Sequence, residues 1–146
     1  MRSILTTEIQ INASPENVWS VLADFKNYPI WNPFITSIKG EVTMGNTITV
    51  RIVPPGNKGM TIKPEVKAMV PNKRLSWQGH LLVTGIFDGE HSFELVENLN
   101  GTTTFIHSEQ FNGLLVPFMK KFLDQQVKMG FELMNQKLKE AVEQTG

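Results

Sequence analysis

The apolar residues of this chain change their period once, near residue 116, and that change constrains the fold more than any other feature. Between about residues 36 and 111 they alternate with polar ones, as in Ile48/Val50/Ile52, Ile62/Val66/Ala68/Val70, Leu75/Trp77, Phe87/Phe93/Leu95 and Phe105/Phe111. Gly45-Asn46, Pro54 to Asn57, Pro71-Asn72, Thr84-Gly85 and Asn98 to Gly101 punctuate these runs as turns. Connections this short join antiparallel neighbours, because parallel pairs need a crossover of a dozen or more residues. From about Val116 to Gln144 the step becomes three or four residues, through Phe118, Phe122, Leu123, Val127, Phe131, Met134, Leu138 and Ala141. That spacing predicts one helix about 43 Å long at 1.5 Å per residue, enough to cross a whole sheet. Pro117 suits its first turn.

The start of the chain adds a strand and two short helices. Leu5, Ile9, Ile11 and Ala13 share one parity, the pattern of a half-buried strand. Ser14-Pro15-Glu16 supplies a cap residue, a proline for the first helical position and an acid for the first turn. Val18, Trp19, Val21, Leu22 and Phe25 follow at helical spacing, and Asn27-Tyr28-Pro29 interrupts them. A second short helix or turn carries Trp31, Asn32, Pro33 and Phe34. Strand, two short helices, about six strands and one long helix make an α+β arrangement.

Composition removes several classes of function. The 146 residues form one domain by length, and their 14 basic and 14 acidic side chains balance. A neutral chain lacks the clustered cationic excess that nucleic acid requires, and a polybasic membrane attachment is excluded on the same ground. With no cysteine there is neither disulfide framework nor thiolate nucleophile. No stretch reaches the ~20 apolar residues of a membrane span. The first eight residues hold no apolar run long enough for a secretion signal, so a cytoplasmic protein is expected. Dinucleotide, P-loop, zinc-protease and serine-hydrolase motifs are all absent, and no cofactor or metal is expected.

The run Ile11-Asn12-Ala13-Ser14-Pro15-Glu16-Asn17-Val18-Trp19, followed by Leu22, Asp24, Phe25, Tyr28, Pro29, Trp31, Asn32 and Pro33, resembles the opening of the SRPBCC superfamily. These are the START-like, pollen-allergen-like helix-grip domains. Phe87 to Leu95, Glu109 to Pro117 and Gly130 to Asn135 are similar to a bacterial branch described as polyketide cyclase/dehydrase-like. The resemblance runs in order along nearly the whole chain. It implies a curved antiparallel sheet of six or seven strands wrapped around the C-terminal helix, with an apolar cavity between them. The superfamily includes lipid carriers, receptors and cyclases, and a shared fold does not choose among them.

Several residues are candidates for lining such a cavity. Trp31, Phe34, Trp77, Phe87, Phe93, Phe105 and Phe111 supply aromatic surface, while Leu123, Val127 and Met134 come from the helix. Met60, Met69, Met119 and Met129 offer an adaptable wall, although all of these side chains would equally fill a core. Gly130 falls inside the apolar arc of the helix, where glycine is about 1 kcal/mol worse than alanine. Either a large ring approaches the helix there, or the glycine opens volume for a ligand.

His91 shares parity with Phe87 and Phe93, and His107 and Glu109 share it with Phe105 and Phe111. With both aromatic faces inward, a directly facing hairpin would pair Phe93 with Phe105 and His91 with His107, a register that residue counting alone does not fix. These three polar residues then orient a ligand or transfer a proton, or else satisfy backbone groups and solvent at the sheet edge. They lack the local spacing of a metal motif. His80, on the parity opposite to Trp77, is expected to be exposed, and Asp88 and Glu90 to lie on a solvated convex face.

Three functions remain. The first is binding or carriage of a small hydrophobic molecule by a monomer or homodimer. The second is a polyketide cyclase/dehydratase-like enzyme using His91, His107 or Glu109 as acid or base. The third is a docking module, with Trp31 and Phe34 exposed beside Leu114, Leu115 and Phe118.

Overall fold

The computed structural model describes residues 2–81 and 84–145, and Met1 of the N-terminal reading lies outside them. The first alternating run is strand β1 (Arg2–Ile11). Ser14 then caps helix α1 (Pro15–Leu22), its hydroxyl oxygen accepting from the Asn17 amide. A 3-10 turn (Phe25–Asn27) leads into the short helix α2 (Tyr28–Trp31). Asn32 follows, and its buried side-chain oxygen accepts from the amides of both Phe34 and Ile35, which turns the chain into the next strand.

Seven more strands follow: β2 (Ile35–Lys39), β3 (Thr49–Ile52), β4 (Met60–Ile62), β5 (Glu65–Val70), β6 (Arg74–Leu81), β7 (Phe87–Glu97) and β8 (Thr103–Asn112). All pairings are antiparallel among the described residues, in the orders β1-β8-β7-β6-β5 and β2-β3-β4. The two sheets are stitched where Thr47 bridges Glu65, the Ile48 amide donates to the Pro64 carbonyl and the Val66 amide donates to the Asn46 carbonyl. The alternation grouped Ile62 with Val66, Ala68 and Val70 as one strand. Pro64, which has no N–H to give to a ladder, instead separates β4 from β5. A register shift between Val66 and Ala68 then leaves Val70 exposed.

The C-terminal helix begins as α3 (Val116–Phe122), passes through a π-helical turn (Leu123–Val127) and continues as α4 (Lys128–Thr145). The expected uninterrupted α-helix is thus broken in register by the π turn. Helix α4 packs against β1, β8 and α1. Phe131, Met134 and Leu138 are fully buried there, as are Trp77, Phe93 and Phe105 on the sheet, each burial being worth about 1.5–3 kcal/mol. This is the α+β helix-grip architecture. Among the described residues no helix is long and apolar enough to cross a membrane.

Candidate functional site

The α4 half of the C-terminal helix lies directly on the sheet, whereas the α3 half and the π turn stand off from it. Between them is a cavity of about 120 Å³. Of the residues expected to line it, Phe34, Trp77, Phe87, His91, Phe111, Leu123 and Val127 do, and so does Glu109. Met60 and Met119 join the wall, together with Ile52, Pro54, Ile62 and Phe122, which the sequence reading did not select. No lysine or arginine is among the described residues of the wall.

The other candidates lie elsewhere. Trp31 is half-buried with its ring edge against Tyr28, and its indole Nε1 is buried without a hydrogen-bond partner. Phe93 and Phe105 stack on each other with centroids 5.7 Å apart, below the cavity floor. Met134 is core. Gly130 serves close approach: a Cβ there would overlap the ring of Phe34. Phe34 is therefore not an exposed rim residue, being only 2% exposed, while Leu114 and Phe118 are exposed.

The hairpin of β7 and β8 forms at the expected turn but not in the directly facing register. His91 opposes Glu109, Phe93 opposes His107 and Leu95 opposes Phe105. Asn98 explains the difference, because its amide donates to the Thr102 carbonyl and its side chain holds the hydroxyls of Thr102 and Thr104. These bonds centre the hairpin on Asn100, whereas the direct register would be centred on Leu99.

The consequence is a chain of buried polar groups leading away from the cavity. Glu109 Oε1 is 2.7 Å from His91 Nδ1, and His91 Nε2 is 2.7 Å from His107 Nε2. His107 Nδ1 is 2.9 Å from Asn135 Oδ1 on α4. Asn135 Nδ2 donates to Thr7 Oγ1 on β1 at 2.9 Å, and the Thr7 hydroxyl donates to the His107 carbonyl. Aromatic rings clamp both imidazoles, Trp77 stacking on His91 at 5.2 Å and Phe131 on His107 at 3.9 Å. Burial holds the His107 pKa well below the ordinary 6.5, and the neighbouring His91 adds to this against the opposing bonds from Asn135 and Phe131. His107 is accordingly a neutral member of the chain, one layer behind the cavity wall.

Thr7 and Asn135 were missed, yet each carried the signal that selected His91. Thr7 is a polar residue on the inward parity of Leu5, Ile9 and Ile11, and Asn135 sits one turn after Phe131 beside Met134. His80 is exposed, as its parity implied, whereas Asp88 corrects the expectation of a solvated face. His80 Nδ1 lies 2.9 Å from Asp88 Oδ1, and Asp88 is buried, accepting also from the Gly85 amide, so it pins the turn between β6 and β7.

The model of a protein family described as polyketide cyclase/dehydrase and lipid transport matches residues 2–143. Among solved structures, a Mesorhizobium loti protein superposes with a TM-score of 0.74 at 21% identity, over 99% of each chain. The Zhui aromatase/cyclase of a Streptomyces species gives 0.78 at 14% identity, over 99% of this chain and 95% of that one. A norcoclaurine synthase mutant from Thalictrum flavum gives 0.75 at 14% identity, over 99% and 96% of the two chains. No curated protein matches the sequence. At these identities the likeness is one of fold.

Proposed function

The chain belongs to the polyketide cyclase/dehydrase and lipid transport family, and from that premise we propose that it binds a small hydrophobic molecule in the cavity between the sheet and the C-terminal helix. The observation that carries this reading is a mainly apolar chamber with five aromatic side chains and a paired Glu109 and His91 in its wall. Such a chamber gains affinity from buried apolar area at ~25 cal/mol per Å² and takes its orientation from one or two polar contacts. Its volume of about 120 Å³ is close to that of engineered apolar cavities that accept a single benzene ring. In this reading the whole chain acts as one ligand-binding domain, a monomer or homodimer in the cytoplasm. Native mass spectrometry of the purified protein, compared with the denatured sample, tests it. The expected result is an adduct that is released on unfolding or, for an empty protein, saturable uptake of added toluene. Absence of both overturns the reading.

The hydrogen bond between His91 and Glu109 on the cavity wall favours a second reading, proton transfer of the cyclase or dehydratase kind. A glutamate serving as acid or base predicts that Glu109→Gln retains ligand capture and loses product formation.

A further inference from the structure

The polar side chains of the wall belong to His80, His91 and Glu109. His80 Nδ1 is paired with Asp88. Both nitrogens of His91 are occupied, Nδ1 by Glu109 Oε1 and Nε2 by His107 Nε2. Glu109 Oε2 has no hydrogen-bond partner among the described residues. It rests over Gly89, another wall residue, in space that a Cβ at that position would occupy.

The hydrogens of the chain can be assigned from its far end. Asn135 donates through Nδ2 to Thr7, so it presents its carbonyl oxygen to His107 Nδ1, which must carry a hydrogen. The backbone of Phe131 also favours a proton on this ring. His107 is neutral through burial, so its Nε2 is bare and accepts from His91 Nε2–H. One proton then lies between His91 Nδ1 and Glu109 Oε1, because two atoms 2.7 Å apart in that geometry share one. It resides either on the imidazole, giving an ion pair of zero net charge, or on the carboxyl. In both placements Oε2 carries no hydrogen. Glu109 thus offers the cavity a free acceptor; the other unpaired ring atom of the wall, His80 Nε2, belongs to an exposed residue, and among the described residues the wall holds no lysine or arginine to receive an anion.

We propose that the cavity selects small uncharged aromatic alcohols of the phenol class, the hydroxyl donating to Glu109 Oε2, over the corresponding ethers and carboxylates. The proposal rests on the binding reading above and names its ligand class. The rings of Phe34, Trp77, Phe87, Phe111 and Phe122 suit one aromatic ring by shape and volume. A methyl ether offers no hydrogen and leaves Oε2 unpaired, and a site built around a donated hydrogen rejects analogues that lack it. A carboxylate would bury a charge in a wall whose His91–Glu109 pair is already neutral and which, among the described residues, holds no lysine or arginine to offset it.

The test is an NMR titration of the full chain with toluene, phenol, anisole and benzoate, followed at the amides of Gly79 and Gly89. Phenol is expected to bind about tenfold more tightly than anisole although anisole is the more hydrophobic, with benzoate weaker still. In Glu109→Gln the preference of phenol over benzoate is expected to shrink about tenfold, because the amide can present an N–H to a carboxylate where Oε2 can only accept. If toluene binds but anisole or benzoate equals phenol, the ligand class is wrong while the binding cavity stands. An unchanged preference in Glu109→Gln likewise overturns the role of Oε2. If none of the four probes binds, the binding reading fails together with the proposal.

Discussion

Two glycines, one on helix α4 and one on strand β7, illustrate how one missing methyl group can serve packing at one position and chemistry at another. At Gly130 a Cβ meets the ring of Phe34, which is buried between the helix and the cavity. Gly130→Ala is expected to destabilise by about 1–3 kcal/mol through overpacking, partly offset by the roughly 1 kcal/mol that alanine gains in a helix. Denaturant midpoints read this directly, and an unchanged or raised midpoint would show that the ring can yield. At Gly89 a Cβ meets only the carboxylate end of Glu109. Gly89→Ala is therefore expected to keep most of its stability while losing the His91–Glu109 hydrogen bond, seen as a shift of the imidazole proton signals. Asn135→Leu keeps the approximate shape but strands His107 Nδ1 and takes from Thr7 Oγ1 the hydrogen bond it accepts, and about 1–3 kcal/mol of stability should go with them.

At the scale of elements, the π turn Leu123–Val127 sets which side chains of the C-terminal helix face the cavity. Each α-helical residue advances about 100°, so one residue more or fewer before α4 rotates all of α3 about the helix axis. Met119 and Phe122 stand in the wall because of that phase. Deleting Gln125 is expected to retain helical circular dichroism and the contacts of α4 while abolishing toluene uptake. Retained uptake would mean that α3 does not define the chamber. The hairpin turn works in the same manner on the opposite side, since the hold of Asn98 on Thr102 and Thr104 decides that Glu109, rather than His107, lies across from His91.

For the whole molecule, the buried network couples stability to pH. The folded-state pKa of His107 is depressed, so below its ordinary 6.5 the unfolded chain binds a proton that the folded one does not. Stability is therefore full above about pH 6.5 and falls as the pH is lowered through the range 6.5 to 5. Glu140 and Glu143 have carboxyl pKa values lowered mainly by hydrogen bonds, from Gln136 and from the Asn12 amide respectively. Their contribution is present above 4.5 and lost below it, which leaves the pH 5–6.5 window to His107. Urea melts across that window should show a falling midpoint, with a shallower slope in His107→Gln. Equal slopes would remove His107 as the source.

The order of elements, the antiparallel connections and the apolar faces were legible in the sequence, because periods of two and of three to four are set by neighbours along the chain. The inward parity of His91, His107 and Glu109 was legible for the same reason. Their mutual arrangement was not. It depends on a turn centred on Asn100 and on bonds joining residues as far apart as Thr7 and Asn135, and alternation is blind to a register shift of two because both registers keep the same faces inward. Which aromatic side chains line the chamber and which fill the core was likewise decided by the tertiary structure. Phe111 and Phe105 share one strand and one parity, yet Phe111 borders the cavity beneath the α3 half of the helix while Phe105 is buried against Phe93. The periodicity along a strand reports its inner face, and only the distance to the helix above it determines whether that face is filled or open.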